Sequence, residues 1–232
     1  MIDFSAWDFM LKHYVNGQGQ VDYAAWHSES YKKLEEWLAS QRHIELNACS
    51  QDEAIAFLIN LYNALTIQQV LKKYPIASIR PTFLGIPNWL AFLRFFTKKI
   101  YRLQGQSLSL NGIEHGLLRK RFQEPRIHFA LVCASVGCPL LRAEAYVPDR
   151  LDEQLEADAC RFIHNDDKVR YDATQQTLYC SKIFKWYGTD FLTVAASIPD
   201  YISQYRPDFD LSSDVTVKFL PYSWELNQRI SS

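Results

Sequence analysis

The strongest pattern in the chain lies in "SQDEAIAFLINLYNALTIQQVLKKYP", where apolar residues fall on nearly every side of a helix. Ser50 and Glu53 have capping-box spacing, acidic residues fill the first turn and lysines the last, and Pro75 stops it. A helix that is apolar all round belongs inside a core, so this one is expected to be central and buried. Phe4, Trp7, Leu11 and Tyr14 fall at helical spacing and predict a helix over 4–14. "VNGQGQVDY" reads as a turn leading into a short strand, and a second helix is expected over 28–40. Residues 95–110 read as a hairpin around Gly105, "SLNGIEHGLLRKRF" as a helix and "RIHFALVCA" as a buried strand. An amphipathic helix follows over 149–164, then a second hairpin in "KVRYDATQQTLYC". Helices through "SKIFKWYGTDFLTVAASI", a strand around 215–220 and the tail "PYSWELN" complete the chain. No Gly/Ser/Pro-rich linker divides it. The expected fold class is α+β, a mainly helical single domain over 1–232, with a buried central helix packed on a small antiparallel sheet.

Composition sharpens this only at the edges. Apolar residues make up 48% of the 232 residues and aromatics 14%, ample for one sizeable core. A net charge of -1 offers no long-range field to steer nucleic acid or an acidic membrane, so neither is expected as a partner. The N-terminal stretch is amphipathic with early acids, unlike a signal peptide, and the expected compartment is cytoplasmic. Five scattered cysteines, an odd number, read as free thiols rather than a disulfide scaffold. Their spacing completes neither a zinc set nor a C-x-x-C motif, and no metal or cofactor is expected.

Candidate chemistry gathers in four places. Asn60 and Asn63 share one face of the central helix, where a buried amide is costly unless matched. Either they tie neighbouring backbone to the helix, or they orient a catalytic group or a substrate carbonyl. In "IEHGLLR", Glu114 and His115 point about 100° apart on a helix, while His115 and Arg119 are four apart and share a flank. In "RIHFALVCASVGCPLL", strand alternation puts His128, Ala130 and Val132 on one face and Phe129, Leu131 and Cys133 on the other, so His128 and Cys133 are not expected to meet. Beyond Cys133 the chain turns at Gly137, and Pro139 suits the first position of a short helix, which would put Cys138 at a helix N-terminus that lowers a thiol pKa. A reversible Cys133–Cys138 disulfide fits the same spacing. In "SKIFKWYGTDF", Ser181 reads as a helix cap, and Ser181 and Asp190 are candidates to face a cleft.

Taken together, "LINLYNALTIQQVL", "LNGIEHGLLRKRF", "PRIHFALVCASVGCPLLRAEAY", "SKIFKWYGTDF" and "PYSWELN" resemble a domain family of unassigned function, found widely in bacteria and joined in plants to a ternary-complex-factor-type leucine zipper. The resemblance runs in order from Phe4 to Asn227. The zipper segment has no counterpart in these residues, so a scaffold role does not carry over. The family's motifs match Asn60, Asn63, Glu114, His115, Arg119, His128, Cys133, Ser181 and Trp186. Cys138 matches more loosely, since some relatives carry Ser there, and this favours Cys133 as the functional thiol. Many bacterial relatives are secreted, which bears on the expected compartment.

The expected function is therefore a cysteine-dependent hydrolase or acyltransferase on an amide or thioester, papain- or transglutaminase-like in chemistry, with a small-molecule or peptide substrate. Cys133 would be the nucleophile and His115 its base. Glu114, Asn60 or Asn63 would orient the imidazole or donate to an oxyanion, with Arg119, His128, Cys138 and Ser181 lining the binding site. The alternative is a non-enzymatic binding or thiol redox-sensing domain in which Cys133 and Cys138 cycle with oxidation.

Overall fold

The central helix organises the structure, a computed structural model that describes residues 2–83, 86–211 and 215–229. Helix α4 (Gln51–Leu71) starts where the Ser50 side chain accepts from the Glu53 amide, and every residue from Ala54 to Leu71 is buried. Around it pack α1 (Ser5–Tyr14), α2 (Tyr23–Glu29) and α3 (Tyr31–Ser40), with Trp7 tilted against Trp26 and stacked on Trp37. The expected helix over 28–40 is thus two helices. Asp22 caps α2 by accepting from Ala25 N, a signal hidden inside "VDY".

Hairpin β1 (Thr82–Phe83) and β2 (Ile86–Pro87) leads into α5 (Trp89–Thr97), and hairpin β3 (Tyr101–Leu103) and β4 (Gln106–Leu108) follows as expected around Gly105. The "IEHGLL" stretch is helical but wound as a π-helix over Gly112–Leu118, with the Arg119 N–H reaching the Glu114 carbonyl five residues back, before it tightens into α6 (Arg119–Arg121). A second core lies beyond. Helix α7 (Leu151–Ile163), α8 (Lys182–Trp186), α9 (Gly188–Phe191) and α10 (Ile198–Ser203) bury Phe162, Phe184, Phe191 and Tyr201 together with the sheet. The sheet order is β5 (Val169–Asp172), β6 (Thr177–Cys180), β7 (Thr216–Phe219). β5 and β6 pair antiparallel, while β7 runs parallel to β6, so the sheet is mixed. The class is α+β, and the central helix is wrapped mainly by other helices while the three-stranded sheet serves the second core.

The expected strand in "RIHFALVCA" does not form. Glu124 accepts from Arg126 N and Pro125 opens a 3-10 turn over Pro125–Phe129, after which 130–134 runs as irregular buried chain. The run is apolar on both faces, so alternation carried no information about register. Its main-chain groups find a side chain instead of a neighbouring strand. Asn63 donates to Ala130 O at 3.0 Å and accepts from Val132 N at 2.9 Å. Nor does a helix follow Cys138, because 138–147 is irregular, and the helix-terminus argument for that thiol lapses.

Candidate functional site

A cleft of about 540 Å3 opens where the two cores meet. The first core contributes Tyr62 of α4, Glu114 and His115 of the π-helix and Phe92 of α5. The second contributes Trp186 and Tyr187, and the tail adds Tyr222 and Trp224. His128, Cys133 and Cys138 line the same cleft, so His128 and Cys133 share a surface despite the alternation argument. A larger recess of 830 Å3, beside α1, has Asp8 paired with Lys12 and Glu144 paired with Arg150 in its lining.

At the floor Cys133 and Cys138 are joined as a disulfide, which corrects the reading of all five cysteines as free. Cys49, Cys160 and Cys180 do remain free, and burial pushes the Cys180 thiol up to about 12, where it is inert. Cys133 is 8% exposed and Cys138 3%. Hydroxyls surround both sulfurs. Ser135 Oγ lies 3.2 Å from Cys133 Sγ and 3.5 Å from Cys138 Sγ, and Tyr222 OH lies 3.5 Å and 3.2 Å from the same two atoms. Cys138 Sγ also accepts from the Cys133 amide at 3.0 Å, so more donors converge on Cys138.

The backbone here is held against its preference. Ala134 sits in the left-handed region at φ 63°, which costs an L-residue about 1–2 kcal/mol. The tail over-determines it. Asn227 N donates to Ala134 O at 3.1 Å, Val136 N to Glu225 O at 2.8 Å and Gly137 N to Ser223 O at 2.9 Å. "PYSWELN" is therefore a strap across the cysteine turn as well as a wall of the cleft.

Two imidazoles border the cleft, and their partners divide them. Arg119 Nη1 lies 2.7 Å from His115 Nδ1 and can only donate, so the His115 lone pair is engaged and its proton sits on Nε2. In that form His115 has no free lone pair with which to accept a proton from Cys133. His128 Nε2 lies 2.8 Å from Asp190 Oδ2, and a carboxylate only accepts, so this nitrogen carries the proton. Its Nδ1 is buried without a partner among the described residues. Burial lowers the His128 pKa against the opposing pull of Asp190, which keeps the ring neutral and its Nδ1 lone pair available. The ring is clamped by stacking on Tyr187 at 3.8 Å. Burial alone would raise the Asp190 pKa, but bonds from Arg119 (2.6 and 2.7 Å) and His128 hold it well below the usual carboxylate range. The oriented imidazole is thus His128, on the Asp190 carboxylate, rather than His115.

Glu114 is buried beside the hydroxyls of Tyr62 and Tyr187. Burial first, and then the Glu114 charge, raise both phenols, so both stay protonated.

The two asparagines play the structural part of the alternatives weighed for them. Asn60 accepts from Trp7 Nε1 (3.1 Å) and Tyr146 N (3.0 Å) and donates to Tyr146 O (2.8 Å), while Asn63 fixes the chain three residues before Cys133. Neither lines the cleft. Ser181 accepts from Ile183 N and caps α8, and it does not line the cleft. Sequence reasoning passed over Tyr62, Tyr187, Tyr222 and Ser135, and gave Asp190 only a passing place. The available signal was position, since Tyr62 lies inside the Asn60–Asn63 motif and Tyr187 and Asp190 lie inside "SKIFKWYGTDF". Among the described residues no group of His, Cys, Asp and Glu is placed to hold a metal ion.

Comparison with protein families finds a match. The family described as "Protein of unknown function, DUF547" covers residues 46–163, which holds the central helix, the π-helix and both cysteines of the cleft. No curated protein and no solved structure matches the chain.

Proposed function

The chain belongs to the DUF547 family of proteins of unknown function, and from that premise we propose that it is a thiol redox domain, exchanging the Cys133–Cys138 disulfide with thiols that enter the cleft. The family lends no activity, so the reading rests on the site. One observation carries it: the two sulfurs are bonded to each other on the floor of an open cleft, ringed by hydroxyl donors. An incoming thiolate attacks the sulfur of Cys133, the more exposed residue of the pair, and forms a mixed disulfide. Cys138 leaves as a thiolate, with the Cys133 amide, Tyr222 and Ser135 placed to stabilise the charge, and a better-stabilised thiolate leaves faster. A second substrate thiolate then attacks the substrate sulfur of the mixed disulfide and releases Cys133. The substrate dithiol is oxidised to a disulfide, and the protein gains the two electrons as a Cys133/Cys138 dithiol.

The test is equilibration in glutathione buffers of graded potential, followed by alkylation and mass measurement. Both cysteines are expected to titrate as one two-electron step, and Cys138→Ala should trap glutathione on Cys133. Two thiols that stay free across the whole range would sink the reading.

A second reading, the cysteine hydrolase or acyltransferase, is favoured by the Asp190–His128 pair. With the disulfide reduced, the unpartnered Nδ1 of His128, a buried atom of a residue that lines the cleft, would be the proton acceptor for a thiol brought to it. It takes precedence if reduced Cys138→Ala turns over a thioester at the wild-type rate and His128→Gln does not.

A further inference from the structure

The surface beside the cleft carries an independent feature. From Ala54 to Ile113 the sequence has no acidic residue and seven basic ones, a bias that the net charge of -1 conceals. Within that stretch, hairpin β1–β2 and α5 present Ile86 (70% exposed), Trp89 (55%), Leu90 (82%) and Leu93 (54%) to solvent. The opposite side of α5 is anchored, with Phe92 and Phe95 in the core and Gln69 donating to the Phe95 carbonyl. The exposed apolar arc is therefore displayed on a fixed support. At the C-terminal end of the helix stand Arg94, Lys98 and Lys99, all exposed and with no ion pair among the described residues.

We propose that this face, α5 with the hairpin before it, is a docking surface for an anionic lipid membrane. Four large apolar side chains in eight residues exceed what scattered surface hydrophobics account for. Tryptophan and leucine on one arc and arginine and lysine beside it match the two components of interfacial binding, buried apolar area and attraction to anionic headgroups. Unpaired cations point to a negatively charged surface rather than to a neutral apolar partner. The contact is peripheral. Among the described residues the one helix long and apolar enough to span a bilayer is α4, and it is buried in the protein. Trp89, Leu93 and Phe96 also line the cleft, so docking brings the mouth of the thiol site to the bilayer surface.

Flotation of the full chain with phosphatidylcholine vesicles, with and without about 30 mol % phosphatidylserine, tests this directly. The chain should float only with the anionic vesicles and be released by about 0.5 M NaCl. Lys98→Ser/Lys99→Ser should weaken binding about thirtyfold, and Leu90→Ser/Leu93→Ser should abolish it. All four side chains are exposed, so circular dichroism should show both variants folded. As a second readout, brominated lipid should quench tryptophan fluorescence in the wild type and much less in Trp89→Phe. The proposal is overturned if the chain ignores both vesicles, as for a protein-docking face, or binds neutral and anionic ones alike, or if either double variant binds as the wild type does.

Discussion

Asn63→Ala is the sharpest probe of how the central helix controls the thiol site. The substitution removes a donor to Ala130 O and an acceptor for Val132 N, and both main-chain groups belong to buried residues and make no other bond among the described residues. Leaving a buried polar group unpaired costs about 1–3 kcal/mol, so two of them come to about 2–6 kcal/mol. That is a large share of the 5–15 kcal/mol available to a typical protein. With a urea m-value of about 3 kcal/mol/M, the unfolding midpoint should fall by about 1 M. Because 130–132 leads directly into Cys133, the loosened segment should also let dithiothreitol reach the disulfide faster. Asn60→Ala is the matched control. It loses bonds to Trp7 and to Tyr146, which lie outside the 130–132 segment that leads into Cys133, and should lower the midpoint comparably while leaving the reduction rate unchanged. The reasoning fails if Asn63→Ala shifts the midpoint by less than about 0.3 M, or if both variants are reduced at the same rate.

Stability should fall on mild acidification. His128 has its pKa lowered by burial from 6.5, so below about pH 6.5 the unfolded state takes a proton that the folded state refuses; Asp190, also lowered, adds a loss only as the pH falls through and below the usual carboxylate range. Urea midpoints between about pH 7.5 and about pH 5 should decline, and His128→Gln should flatten the decline; a wild-type profile already flat would contradict the assignment. Tyr222→Phe removes a hydroxyl 3.2 Å from Cys138 Sγ, and losing about 1.5 kcal/mol of thiolate stabilisation should slow reductive opening about tenfold; an unchanged rate by timed alkylation would show that Tyr222 is not a donor to the leaving sulfur. Gly137→Ala would put a methyl 2.6 Å from Ser223 O and 2.7 Å from the Tyr222 ring, forcing the strap outward. A loss of about 1–3 kcal/mol is expected as a lower melting temperature, and a melting temperature equal to wild type would mean that the strap yields freely.

The elements that could be read from the chain are those whose information is local. Ser50 with its acidic first turn, the all-round apolar stripe from Ala54 to Leu71, and the hairpins at Gly105 and in "YDATQQT" each carry start, period and stop within a short window, and each stands in the structure. Membership of a family of unknown function was legible for the same reason, since its motifs are contiguous. The buried run at 127–134 lacked such a period, and its shape depends on Asn63, more than sixty residues away in sequence. A side chain that satisfies a carbonyl and an amide together replaces the strand partner that the apolar composition suggested.

The site shows the same division. Its residue types were visible in advance: a cysteine pair, two histidines, an acid and an arginine, all in patterned segments. Their pairing was decided by tertiary structure alone. Asp190, 62 residues after His128, holds that imidazole, and Arg119 occupies the lone pair of His115. The strap at 222–227 folds back across the Cys133–Cys138 turn and bonds to it through its main chain. Sequence periodicity reports which face a residue presents to its own element. Which lone pair stays free depends on the groups that arrive from other elements, and only the folded chain brings those together.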